Sequence, residues 1–80
     1  MFYVYILRSI QSESHTYIGF TADLKARLEK HNEGGCPYTS KFKPWRIIWY
    51  CAFQDKIKAL EFEAYLKSHS GKAFAAKHLI

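Results

Sequence analysis

Apolar positions along the chain fall into runs and stripes, separated by polar turns or by glycine and proline. Phe2-Tyr3-Val4-Tyr5-Ile6-Leu7 is aromatic and β-branched, which suits a strand. Gln11-Ser12-Glu13-Ser14-His15 reads as a polar turn and Thr16 to Phe20 as a second strand, so the pair predicts a hairpin. Side chains alternate between the two faces of a strand. Val4, Ile6, Ile18 and Phe20 are therefore expected on a core face, and Tyr5, Tyr17 and Gly19 on the other. A glycine beside two phenols leaves room for another backbone or a phosphate to approach.

Thr21, with Asp23 just behind it, reads as the cap of a helix that runs to about Asn32, where Glu33-Gly34-Gly35 ends it. Leu24 and Leu28 anchor its apolar stripe, and Arg27 and His31 fall on the same stripe. An inward arginine needs a partner or must snorkel to water. Residues 33 to 46 show no periodicity, and Gly34, Gly35, Pro37 and Pro44 mark a long connection. Its Tyr38, Phe42 and Trp45 are interleaved with Lys41, Lys43 and Arg46. That mixture suits a nucleic-acid backbone, and equally a loop pinned to the core by its rings. Thr39 and Ser40 could add hydroxyl contacts to phosphate.

Arg46 to Phe53 is apolar at nearly every position and reads as the strand buried on both faces, between two neighbours. Asp55 is the expected N-cap of the next helix, whose stripe is Ala59, Leu60 and Leu66 with Phe62 at its flank. Glu63 lies inside that stripe. Ser68 to Gly71 is expected to break the helix, and Lys72 to Ile80 to form a short last one, packed through Phe74, Ala75 and Leu79. The order is β-β-α-β-α-α: an α/β fold with a small three-stranded sheet flanked by helices, in a single domain over residues 1–80.

The 12 lysines and arginines against 7 acidic residues leave a net charge of +5, which favours anionic partners, nucleic acid first. Lys67, Lys72 and Lys77 can add to that footprint or simply face water. The longest apolar run, Ile47 to Phe53, is far short of the roughly 20 residues that span a bilayer. No signal peptide is recognised, so the expected location is cytoplasmic, with no membrane and with Cys36 and Cys51 both reduced.

Tyr5, Tyr17, Arg27 and Glu63 thus stand at core-facing or sheet-facing positions. Phosphodiester hydrolysis needs an activated water, a clamp on the phosphate and stabilisation of the leaving oxygen. A guanidinium fork matches phosphate oxygens, and one carboxylate suits Mg²⁺, which keeps most of its waters. The same residues are equally served by a buried Arg27–Glu63 ion pair with tyrosine hydrogen bonds.

Tyr3-Val4-Tyr5, then Tyr17-Ile18-Gly19, then Arg27 and His31, followed by a helix with Ala59, Glu63, Leu66 and Lys67, resemble the GIY-YIG nuclease superfamily, in particular its short stand-alone bacterial branch. Tyr3 stands where the first element of the family name has glycine. The resemblance spans essentially the whole chain. It implies a metal-dependent endonuclease acting on DNA rather than RNA, with a non-catalytic or weakly catalytic nucleic-acid-binding module as the alternative; a pure interaction protein with an acidic partner is the third possibility. It further implies that Tyr5, Tyr17, Arg27, His31 and Glu63 form the active site. Tyr17 is then the general base, Tyr5 positions water or phosphate, Arg27 contacts the scissile phosphate, His31 contacts phosphate or relays a proton, and Glu63 holds one Mg²⁺ or Mn²⁺. Thr39, Lys41, Lys43, Arg46 and Lys67 are the expected nucleic-acid contacts. Many relatives carry an asparagine after the metal-binding helix, whereas here the only Asn is Asn32, read as a C-cap, and some place lysine where Phe20 stands. An appended DNA-binding domain is expected to be lacking, so that this domain or a protein partner supplies substrate choice.

Overall fold

The two N-terminal runs form strands β1 (Phe2–Ser9) and β2 (Thr16–Thr21), antiparallel, with Tyr5 opposite Gly19 and Ile6 opposite Ile18. The computed structural model describes residues 1–80. It continues with α1 (Leu24–Asn32), α2 (Pro37–Ser40), β3 (Trp45–Phe53), α3 (Lys56–Lys67) and α4 (His69–His78). The α/β order is the predicted one with a short helix added, because Pro37-Tyr38-Thr39-Ser40 closes one helical turn inside the expected connection.

The sheet order is β2-β1-β3, so β1 and not β3 is the central strand. Val4 to Leu7 are all buried, whereas Arg46, Tyr50 and Ala52 on β3 are exposed. Two features make β3 look more buried than it is. Its Trp and Tyr rings can lie against the sheet while their outer ends meet water. The pairing also slips by one residue: Ile6 faces Trp49 but Leu7 faces Ile47, and the bulge turns both Ile48 and Trp49 towards the same core.

Each face of the sheet carries its own core. On one side Val4 and Ile6 pack with Ala59, Leu66 and Ala75 of α3 and α4, joined by Ile18, Phe20 and Leu79, as the alternation predicts. On the other, Tyr5, Leu7 and Trp45 pack with Tyr17, Leu24 and Leu28. The phenol face is thus a second core, closed by α1 and α2.

Caps set the helix boundaries. Asp23, not Thr21, caps α1 by accepting the Ala26 N–H at 3.1 Å, while Thr21 Oγ1 accepts the Asp23 N–H. Asp55 caps α3 as expected, at 2.9 Å from Ile57 N. Leu60 is 40% exposed and leaves the predicted stripe, since Ala59 already fills the contact with the sheet. The break between α3 and α4 is Ser68 alone, which ends one helix and caps the next through Gly71 N–H. Gly71 therefore lies inside α4, where a Cβ would strike the Tyr65 carbonyl; its lack of a side chain lets the two helices meet this closely. Asn32 is no C-cap. Its amide brackets the backbone of Trp45, accepting from N–H at 2.6 Å and donating to C=O at 3.1 Å, and so fixes the entry to β3. No helix is long and apolar enough to cross a membrane.

Gly19 does leave space, but the Tyr5 ring occupies it. A Cβ at position 19 would run into the Tyr5 hydroxyl and ring, which are buried and cannot swing aside. Gly19→Ala is accordingly expected to cost about 1–3 kcal/mol in urea unfolding, the range for overpacking a core.

Candidate active site

Tyr5, on the central strand, is 1% exposed, and His31, in the last turn of α1, is likewise 1% exposed. They meet across the second core: Tyr5 Oη lies 3.0 Å from His31 Nε2, and His31 Nδ1 lies 2.8 Å from Thr39 Oγ1. Thr39 Oγ1 donates to the Cys36 carbonyl at 3.3 Å, so it accepts from Nδ1–H, which leaves Nε2 to accept the tyrosine proton. Every member of this buried chain has a partner, as burial of polar groups requires. Trp45 locks its far end by donating from Nε1 to the Thr39 carbonyl at 2.8 Å.

Thr39 is therefore not a phosphate contact. It is fully buried and sets the orientation of His31, because the turn of α2 points its hydroxyl inward. His31 has both nitrogens engaged and is closed to direct phosphate contact, while a relay role fits its place between two hydroxyls. Tyr5 is also enclosed, so its hydroxyl contacts the imidazole rather than bulk water.

Arg27, half-buried on the same stripe of α1, donates to the Phe20 carbonyl at 3.3 Å and forms no ion pair. Its positive charge acts on both Tyr5 and His31. Burial pushes the Tyr5 phenol up to about 12, although the nearby Arg27 charge pulls the other way. Burial, aided by the charges of Arg27 and Lys30, holds the His31 imidazole below its ordinary value.

Tyr17 sits at the edge of this cluster, its ring 5.1 Å from that of His31 and 5.9 Å from that of Tyr38. Unlike Tyr5 it opens onto a groove of about 460 Å³, together with Thr16, Tyr38, Lys67 and Lys72. Lys67 Nζ stands 5.9 Å from the Tyr17 ring centre and pairs with Glu63, one turn back on α3, at 3.2 Å. Glu63 is one-fifth exposed and does not pair with Arg27, so the buried Arg27–Glu63 ion pair is not formed.

The expected nucleic-acid contacts do not form one patch. Lys67 lies in the groove, and Lys41 lines a neighbouring depression with His15 and Phe42 that shares Tyr38 with it. Lys43 is exposed near Gly34, and Arg46 is exposed at the start of β3. Phe42 and Trp45 pin the connection to the core. Tyr38, exposed beside Tyr17, was legible only as part of a basic-aromatic mixture, and nothing in its neighbours marked it as a groove residue.

A neutral buried histidine makes stability depend on pH. Below about pH 6.5 the unfolded chain takes up a proton on this ring that the folded chain refuses. The His31 contribution is thus complete above that pH and falls as pH drops, by at most about 1.4 kcal/mol per pH unit. Urea unfolding between pH 7.5 and 5 should show this decline, and His31→Gln should flatten it; parallel curves would remove His31 as its source.

This arrangement, a β-hairpin carrying paired tyrosines with an arginine and histidine from the next helix and a glutamate from a later one, places the protein in a known class. The chain matches the GIY-YIG catalytic domain over residues 1–77 and belongs to that family. It is 36% identical to a UPF0213 protein of Lacticaseibacillus paracasei, an alignment that covers 99% of this chain and 91% of that one. It is 40% identical to structure-specific endonuclease subunit SLX1 of Candida dubliniensis, over 95% of this chain but only 28% of that protein. The solution NMR structure of a UPF0213 protein from Bacillus halodurans matches with a TM-score of 0.55 and 33% identity, covering 96% of this chain and 84% of that one.

Proposed function

We propose that this chain is a metal-dependent endonuclease that hydrolyses phosphodiester bonds in DNA. The observation that carries the reading is Arg27: a half-buried guanidinium without a carboxylate partner whose charge acts on Tyr5 and His31, in a cluster whose outer member, Tyr17, lines an open groove. An unpaired charge in such a place is stabilised when an anion arrives. Its fork can hold a phosphate while Tyr17, the phenol that reaches the groove, orients an attacking water and takes its proton. The Tyr5–His31–Thr39 chain supports the site from below, holding the Arg27 surroundings rigid and offering a route for a proton.

Glu63 would hold a single Mg²⁺ or Mn²⁺. The fit is that of one partly exposed carboxylate, one turn along α3 from the groove residue Lys67, in no cluster of three or more His, Cys, Asp or Glu side chains. Mg²⁺ retains several waters and takes few protein ligands. When bound, the ion supplies positive charge at the phosphate; Lys67, half-exposed and flexible, would have to release Glu63.

Two observations favour a second reading, a nucleic-acid-binding module with little cleavage: Glu63 is already paired with Lys67, and no Asn follows it. Substrate choice by a protein partner accords with SLX1 being named a subunit, and a cytoplasmic location with two free cysteines. Labelled duplex, single-stranded, flap and branched DNAs, with RNA alongside, should be incubated with Mg²⁺, Mn²⁺ or EDTA. Metal-dependent cleavage of at least one DNA is expected. Binding without cleavage would establish the second reading, and cleavage of RNA alone would correct the substrate.

A further inference from the structure

Arg8 lies on β1 directly between Thr16 of β2 and Arg46 of β3. Residues opposite one another on neighbouring strands point to the same face, so the side chains of Arg8 and Arg46 leave the sheet together, with Cβ atoms about 5 Å apart. Like charges opposite each other are unfavourable. No carboxylate relieves them, because the chain's one ion pair within 4 Å is Lys67–Glu63. Arg8 also carries the only buried side-chain nitrogen or oxygen left without a hydrogen-bond partner, its Nε. An orphaned donor on a charged group is costly, and a native structure rarely retains one without a use.

The surroundings indicate that use. Thr16, the neighbour of Arg8 across the ladder, lines the groove that also holds Tyr17, Lys67 and Lys72. Arg8 and Arg46 thus stand on the α3 and α4 face of the sheet, one ladder position from a residue that lines the groove. We infer that Arg8 and Arg46 form a second phosphate-binding subsite, which takes the backbone of the nucleic-acid strand as it leaves the groove. This inference rests on the proposed nuclease function, and it adds a contact distinct from the scissile phosphate at Arg27. Two cationic forks on one face of the sheet suit a phosphodiester, which can accept from the terminal guanidinium nitrogens of both. Because the contact is to backbone, it positions the strand without reading its sequence.

The test is fluorescence anisotropy with a labelled duplex oligonucleotide in EDTA, titrated across NaCl concentrations, alongside cleavage assays with Mg²⁺. Arg8→Gln and Arg46→Gln should each weaken binding about tenfold at low salt and make the log–log salt slope shallower by about 0.9, one phosphate contact. Arg8→Lys should restore the slope but not all of the affinity, since it returns the charge without the fork. Lys56→Gln, at the far end of α3 from Lys67, is the control and should change neither. Circular dichroism melts verify folding; should Arg8→Gln fail to fold, the exposed Arg46→Gln decides. Wild-type affinity and slope in the folded variants, with wild-type protein binding and cleaving, would overturn the subsite alone. A wild-type protein that neither binds nor cleaves any nucleic acid would overturn the nuclease reading, and the subsite with it.

Discussion

Tyr17→Phe is expected to slow cleavage by at least about a hundredfold, the low end for loss of a general acid-base group, with the fold unchanged. The two tyrosines differ in kind. Tyr5 is sealed in the second core and gives its hydroxyl to His31, so Tyr5→Phe strands an imidazole nitrogen and disturbs packing as well as chemistry. Tyr17 lines the groove and makes its contacts through the ring rather than the hydroxyl, so loss of the hydroxyl takes away chemistry alone. Single-turnover cleavage and thermal unfolding of both variants separate the cases. Equal rates for wild type and Tyr17→Phe would exclude Tyr17 from the mechanism.

Glu63→Gln should abolish metal-dependent cleavage, spare nucleic-acid binding and leave stability within about 0.5 kcal/mol. The small stability effect follows from its partner: Lys67 is half-exposed and four residues away on the same helix, a kind of pair worth about 0.3–0.5 kcal/mol. Had Glu63 neutralised Arg27 in the interior, its loss would cost roughly 3–5 kcal/mol, and Arg27→Leu would rescue it. No such rescue is expected, because the two side chains do not pair. Urea unfolding of Glu63→Gln, Arg27→Leu and the double variant without metal should therefore give additive effects. A strongly destabilised Glu63→Gln that Arg27→Leu restores would make the constellation structural.

The sequence by itself determined the hairpin, its two faces, the first helix to Asn32 and the cap at Asp55. Each depends on neighbours a few residues apart, where strand alternation, capping and turn chemistry act. The likeness to the GIY-YIG family was legible for the same reason: Tyr5, Tyr17, Arg27, His31 and Glu63 keep their order along the chain whatever surrounds them. What only the tertiary structure decided involves groups far apart in sequence. The Ile47–Phe53 run is equally apolar in a central or an edge strand, and the partners on offer put β1 in the centre. Thr39 looked like a surface hydroxyl until the turn of α2 and the Trp45 indole directed it onto His31, eight residues back. Asn32 has the composition of a helix stop, yet its amide is satisfied by a backbone 13 residues away. Glu63 faces the interior by helical periodicity, but a lysine one turn along on the same helix pairs with it, while Arg27, on a helix packed against the other face of the sheet, bonds the Phe20 carbonyl instead.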